Sequence, residues 1–434
     1  MKLADHTVEQ ALQQAHQRYT EKNPKSLAQN KKASKVLPGG NTRTVLFSDP
    51  FPITLVSAHD CYVESLDGDH YVDYVGEYTA GLFGHSNAQI KEAVRQALDS
   101  GWVRGGHIPQ EEQLARIICD RFPAIDQIRF TNSGTEANLF AIQTARAVSG
   151  KSKVVVFEGG YHGGVFVFGA TPSRINAPYD FIVAPYNDWD GTQALLDRHK
   201  ADIACVIIEA HQGAGGCIPG DPEFLRQLDA WTKANEVFFI LDEVMTSRLA
   251  GGGLQEQYGL RPDLTTLGKY IGGGFSFGAF GGRADLMDRY NPHNPEALGH
   301  AGTFNNNVFT MAAGVAGYGN VFTPEAARQL TQRGDALRER LNTIAKAASF
   351  PMQFTGLGSM MNVHMVAGEI RSIRDQARSH AKLRDLFYFD LIDQGIWPAR
   401  RGMLVLSLPM GDKETEQLAA AVAHFVEHRK GLQP

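Results

Sequence analysis

The chain has 434 residues, of which 43% are hydrophobic and 21% charged, with a formal net charge of −5. That length and apolar content provide for a large core divided over two or three domains, and a mildly acidic balance without any basic block argues against a general nucleic-acid binder. The opening MKLADHTVEQALQQAHQRY lacks the apolar region of a secretory signal, and no stretch reaches the ~18 apolar residues of a membrane-spanning helix.

Val8, Leu12, Ala15 and Tyr19 recur at helical spacing, so the chain opens on a helix, and Pro38-Gly39-Gly40 then ends the arm. CYVESLDGDHYVDYV then reads as a hairpin turning at Asp67-Gly68. From about residue 75, short apolar runs alternate with helical-length segments: IRF (128–130), VVVF (154–157), ACVII (204–208) and VFFIL (237–241). This is the pattern of an α/β fold, a largely parallel sheet covered by helices on both faces. Beyond about residue 325, PMQFTGLGSMMNVHM has strand character and LRDLFYFDLIDQGI reads as an amphipathic helix. MLVLSLP is a further strand, and Leu418, Val422, Phe425 and Val426 mark a closing helix. The expected division is 1–74, an arm with part of a small domain; 75–325, a large domain; and 326–434, the rest of a smaller α+β domain.

In such sheets ligands bind outside the carboxyl ends of the strands. The residues expected there are TNSGTEAN, EGGYHGG, EAHQGAGG and DEVMTS, all polar or glycine-rich. Asn132-Ser133-Gly134-Thr135-Glu136 has the composition of a capped helix start, and equally of a phosphate cradle in which Gly134 lets the backbone approach an anion. Tyr161 and His162 lie among glycines, where an aromatic ring can stack on a flat ligand, and Val244 can close the opposite face. Glu209 and Gln212 end the next strand, either in a ligand contact or as a solvated carboxylate and amide. Asp242 and Lys269 stand 27 positions apart at two breaks from apolar to polar sequence. A buried acid and a desolvated lysine suit pyridoxal phosphate, which needs an amine to bond to its carbonyl and an acid to keep its ring nitrogen protonated. Lys269 precedes YIGGGFSFGAFGG, a small-residue segment expected to pack against a cofactor.

Other motifs fall short. Gly150-Lys151-Ser152 ends like a P-loop, but Ala145 occupies the position of the required glycine, so a helix C-cap is the better account. No G-x-G-x-x-G follows a strand, and the histidines form no HExxH or other metal spacing. Cys61, Cys119, Cys205 and Cys217 form no CxxC, which suits free thiols in a cytoplasmic enzyme.

Taken together, NSGTEAN, GGYHGG, LDEVMT, DLTTLGKYIGGG, FGAFGGRADLMD and AGTF resemble the class III aminotransferases of the fold-type I pyridoxal-phosphate enzymes, from about residue 35 onward. The resemblance implies a seven-stranded, mostly parallel sheet and a homodimer with shared active sites. It implies that Lys269 bonds the cofactor, Asp242 pairs with its ring nitrogen, Tyr161 stacks on the ring, and Ser133, Gly134 and Thr135 hold the phosphate, with Thr303 reaching the neighbouring subunit's phosphate. Within the class the chain is similar to the β-phenylalanine (aromatic β-amino acid) aminotransferases and to glutamate-1-semialdehyde 2,1-aminomutase. Phe304-Asn305-Asn306-Asn307 departs from the aminomutase pattern, whereas GGNTRTVLF and ARRGMLVLSLP look like the β-phenylalanine enzymes. Their matching arginines point to Arg43 and Arg401 as carboxylate receptors, a task that suits a planar guanidinium. Val45, Phe47, Tyr78 and Phe83 are the expected apolar surface for an aromatic donor, and 2-oxoglutarate or pyruvate the expected acceptor.

Overall fold

The computed structural model describes residues 2–432. The helix Lys2–Lys22 turns Val8, Ala15 and Tyr19 inward, with Leu12 partly buried, and the Tyr19 hydroxyl donates to the Phe51 carbonyl at 2.7 Å. Strands Tyr62–Ser65 and His70–Asp73 form the hairpin, with Gly68 at φ +96° in its turn, a conformation glycine adopts without steric cost. Leu55–His59 extends this sheet on one side, and Ile396–Trp397 pairs parallel with His70–Asp73 on the other. The beginning and the end of the chain therefore share one four-stranded sheet.

The central sheet has seven strands in the order Gln127–Thr131, Gly278–Gly282, Leu264–Gly268, Phe238–Asp242, Ile203–Ile208, Lys153–Phe157, Asp180–Ala184. All run in one direction except Gly278–Gly282, which is antiparallel to both its neighbours. Alternate residues feed two cores: Val154, Val156, Cys205, Ile207 and Ile240 pack with the helix Gly134–Ser149, while Val155, Phe157, Val206, Ile208, Phe239 and Leu241 pack on the other face. Burial on both faces is why these strands read as unbroken apolar runs.

GAFGG, within the segment expected to pack against a cofactor, forms the antiparallel strand. A Cβ on Gly278 would lie 2.1 Å from the Ser133 carbonyl oxygen and one on Gly282 2.1 Å from that of Asp263, so these glycines serve strand-to-backbone packing. The helix Ala381–Asp393 is not amphipathic: Leu383 and every residue from Leu386 to Ile392 are buried, because the first helix, the closing helix and the sheet strand Ile396–Trp397 all pack against it. Other local expectations match the fold. Gly150 is a left-handed helix C-cap at φ +67°, PMQFTGLGSMMNVHM folds as the antiparallel pair Gln353–Leu357 and Met360–His364, and the helix Asp412–His428 buries Leu418, Val422, Phe425 and Val426. All four cysteines are free, and among the described residues no helix is long and apolar enough to cross a membrane.

His211 is fully buried with no protein partner for either ring nitrogen, and burial holds its imidazole down at about 3. Burial also holds that of His364 down at about 4. Both are neutral in the folded chain and protonate near 6.5 when unfolded, so their contribution to stability is complete above pH ~6.5 and is lost as pH falls toward 4 and below. Each proton is worth about 1.4 kcal/mol per pH unit across that window. Thermal midpoints measured from pH 7.5 down to 5 should fall, and His211→Leu should flatten the slope by close to one proton.

Candidate active site

The parallel strands end on one rim, which carries Asn132–Asn138, Glu158–Gly164, Glu209–Gly216, Asp242 and Lys269. Asp242 is buried, and its register partner on the next strand is Thr266. One carboxylate oxygen accepts from His162 Nδ1 and from Asn138 Nδ2, each at 2.8 Å; the other accepts from the Val244 backbone N–H at 3.0 Å. A buried carboxylate needs such compensation, and three separate segments supply it here.

The helix Gly134–Ser149 starts beside this carboxylate. Ser133 is its N-cap, its hydroxyl accepting from Glu136 N–H at 3.2 Å, and Glu136 reaches back to the Asn132 N–H at 2.9 Å. The cap leaves the first N–H groups of the helix, those of Gly134 and Thr135, open to an anion. Thr135 also accepts from the Gly164 N–H at 3.3 Å, and a Cβ on Gly163 would lie 2.3 Å from the Thr135 hydroxyl. Only glycine allows that approach. Val244 packs against the helix start, its methyl carbons 2.9 Å from where a Gly134 Cβ would sit.

Tyr161 is half-exposed beside this helix start, its backbone N–H donating to Glu209 at 2.9 Å. The other Glu209 oxygen accepts from Gly213 N–H at 3.2 Å. Glu209 is therefore not a solvated strand-end acid; it is buried and pins two loops, and burial pushes its carboxyl up. Gln212 donates to the Glu158 carbonyl at 2.7 Å, while its side-chain oxygen is buried with no protein partner.

Lys269 follows the strand Leu264–Gly268 at φ +58°. Its amine donates to the backbone carbonyl of Tyr78, and burial, then the Arg401 cation, holds it down at about 8. Tyr78 belongs to a left-handed turn, Gly76–Thr79, with φ values of +50°, +45°, +53° and +83°. Three successive non-glycine residues there are costly, at roughly 1–2 kcal/mol each. Asp73 fixes the entry to the turn by accepting from the N–H groups of Val75 and Gly76 at 2.9 and 3.0 Å. At its exit the fully buried Arg248 donates to the Thr79 carbonyl at 3.3 Å.

Two guanidiniums stand close to the Tyr78 ring, Arg43 at 5.8 Å and Arg401 at 5.1 Å from its centroid. Arg43 is exposed and paired with Glu77. Arg401 is partly buried; its Nε has no protein partner and one terminal nitrogen reaches only the Met403 sulfur, at 3.4 Å. Arg400 is engaged structurally instead, bonding Asp385, Ser48 and the Asp49 carbonyl. Val45 and Phe47 are exposed next to this group, and the Tyr78 hydroxyl donates to the Val45 carbonyl at 3.2 Å. Two expected residues stand apart. Phe83 is buried in the core against Tyr270, and Thr303 is exposed on the segment before the helix Val308–Gly314. Sequence reading passed over Asn138, Thr266, Glu77 and Arg248. For Asn138 a signal existed, a polar residue on the apolar face of a helix; for the others there was none.

The family model for class-III aminotransferases matches residues 47–426. The β-phenylalanine transaminase of Variovorax paradoxus is 49% identical over 98% of this chain and 98% of its own. A solved β-phenylalanine aminotransferase structure from that organism superimposes with a TM-score of 0.97 at 49% identity, covering 98% of this chain and 99% of the other. Glutamate-1-semialdehyde 2,1-aminomutase of Methanothermobacter thermautotrophicus is 34% identical over 85% of this chain and 90% of its own. Enzymes of this class use pyridoxal phosphate, and the polar groups of the rim fit it: an open helix N-terminus for a phosphate, a buried carboxylate, a buried amide oxygen lacking a partner, and an amine held below its ordinary range. With the family model matched over residues 47–426, the chain belongs to the class III aminotransferases and is a pyridoxal-phosphate-dependent transaminase.

Proposed function

We propose that this enzyme moves the amino group of a β-amino acid, aromatic in the manner of β-phenylalanine, to a keto acid such as 2-oxoglutarate or pyruvate. The observation that carries the reading is the pair of guanidiniums 5.8 and 5.1 Å from the Tyr78 ring centroid, next to exposed apolar Val45 and Phe47, in a chain 49% identical to a β-phenylalanine transaminase. A β-amino acid holds its carboxylate one carbon further from the amine than an α-amino acid does, and two separate arginines give a donor and an acceptor different anchoring points. Arg401, without a carboxylate partner, is ready to receive one; Arg43 must first leave Glu77.

When bound, the cofactor supplies the carbonyl that takes up the amine and the ring that withdraws electrons from the reacting carbon. Gly134 and Thr135 would hold its phosphate with Ser133 at the cap, Tyr161 would cover one ring face and Val244 the other, and Gln212 would meet a ring substituent. His162 and Glu209 would brace the carboxylate and the loop around it. Asp242 would hold the proton at the ring nitrogen, and Lys269 would remove and return the proton at the carbon bearing nitrogen. Thr303, on an exposed segment beside Phe304 at 62% exposure, fits a homodimer in which it serves the partner's phosphate.

A donor panel tests the function: α-amino acids, aliphatic and aromatic β-amino acids of both hands, and glutamate-1-semialdehyde, each with and without a keto acid. Turnover of aromatic β-amino acids that requires a keto acid is expected; turnover of the semialdehyde alone would replace this reading with the aminomutase. Arg401→Ala should raise the KM of carboxylated substrates by about ten- to hundred-fold, the size of a lost hydrogen bond to a charged group, and leave an amine donor without a carboxylate unaffected. An unchanged KM removes Arg401 from that role.

Lys269 gives a pH prediction. Its amine is neutral and nucleophilic above about 8, rather than above the ordinary 10.5. The rate at which cofactor-free enzyme takes up pyridoxal phosphate should therefore rise through pH 8. Arg401→Gln removes a repelling cation and should move that rise to higher pH.

A further inference from the structure

Asn138 makes a hydrogen bond with every polar atom of its side chain. Its amide nitrogen donates to Asp242 at 2.8 Å and to the His162 carbonyl at 3.0 Å, while its oxygen accepts from the Thr266 hydroxyl at 2.6 Å. Asn138, Thr266, His162 and Asp242 are all buried. This geometry admits one amide orientation. Turning the amide over would put its oxygen against the Asp242 carboxylate and the His162 carbonyl, two acceptors facing an acceptor in a buried site. Thr266 sits opposite Asp242 in the parallel register, so the hydroxyl that fixes the amide comes from the strand beside the carboxylate. The same helix carries Asn138 one turn beyond Gly134 and Thr135, which sets the spacing between the open N–H groups and Asp242.

We propose that Asn138 and Thr266 are positioning residues for the ring-nitrogen carboxylate: Thr266 orients the Asn138 amide, and Asn138 fixes the rotamer in which Asp242 faces the cofactor. The inference rests on the reading that Asp242 holds the ring-nitrogen proton. Of the three carboxylate contacts, the Val244 N–H is backbone and the His162 imidazole comes from a glycine-flanked loop. Asn138 alone comes from a helix of sixteen residues, the stiffest of the three supports. Without it the carboxylate can rotate about its side-chain bonds and present a different lone pair to the ring.

The test uses holoenzyme loaded with cofactor labelled with ¹⁵N in its ring, whose chemical shift reports whether the ring nitrogen is protonated. Asn138→Leu, Thr266→Val, Thr266→Ser and Asp242→Asn are compared by that shift, by kcat and KM for the donor, and by thermal midpoint. In Asn138→Leu the shift is expected to move toward that of the unprotonated ring, with kcat falling about ten- to hundred-fold, the size of one lost charge-assisted hydrogen bond, and KM nearly unchanged. Thr266→Val, close to isosteric, should move the shift the same way by less, and Thr266→Ser should restore it. A protonated-ring shift retained in folded Asn138→Leu and in Thr266→Val overturns the inference. If Asn138→Leu does not fold, Thr266→Val against Thr266→Ser decides it alone. Asp242→Asn separates the two levels: a ring still protonated in that variant removes the role assigned to Asp242, whereas loss of the proton there with retention in the other two removes only the positioning role. A merely structural part for these residues would lower the thermal midpoint without moving the ring-nitrogen shift.

Discussion

A carboxylate taken out of water is the constraint on which the rest of the site depends. Buried at the end of a strand, Asp242 would be strongly destabilising without donors, and it finds them on a helix, a glycine loop and its own following turn. Meeting that requirement aligns three segments that are far apart in sequence. The helix start is thereby directed toward the rim, the Tyr161 loop is drawn against it, and Val244 is set under Gly134 and Gly268. The geometry that suits the cofactor is largely the geometry that compensates one buried charge.

Close approach is the second constraint. Where Gly163 passes Thr135 and Gly278 passes Ser133, a single added carbon would overlap an oxygen. These contacts bring the helix N-terminus near the sheet without an intervening layer of side chains, so its open N–H groups and the strand-end acid reach the same small ligand. The antiparallel strand Gly278–Gly282 belongs to this arrangement. It stands between the strands Gln127–Thr131 and Leu264–Gly268, and the helix that follows Gln127–Thr131 packs across both Gly278–Gly282 and Leu264–Gly268.

What the sequence made legible follows from these causes. Strands buried on both faces appear as apolar runs, and VVVF, ACVII and VFFIL were read for that reason. GAFGG carries no strand signal because glycine is depleted in strands; here backbone packing, not side-chain preference, selects it. The helix Ala381–Asp393 lost its polar face because other elements surround it, a tertiary fact with no periodic signature. Asp242, Lys269, Tyr161 and the NSGT turn were visible as breaks from apolar to polar sequence. The Asn138–Thr266 contact joins residues 128 positions apart, and local pattern has no access to it. The left-handed run Glu77-Tyr78-Thr79 contains no glycine and nothing else in the sequence to announce it.

That run bears on redesign of the enzyme. Glycine at Glu77 or Thr79 would adopt the observed backbone without steric penalty, and a stability-guided redesign would choose it early. Yet the same backbone aims the Tyr78 carbonyl at the Lys269 amine and brings the Tyr78 ring close to two cations. A turn held rigid by residues that dislike it keeps that aim; a turn of glycines is free to wander. At this one place, heat resistance and fidelity of the active site pull in opposite directions.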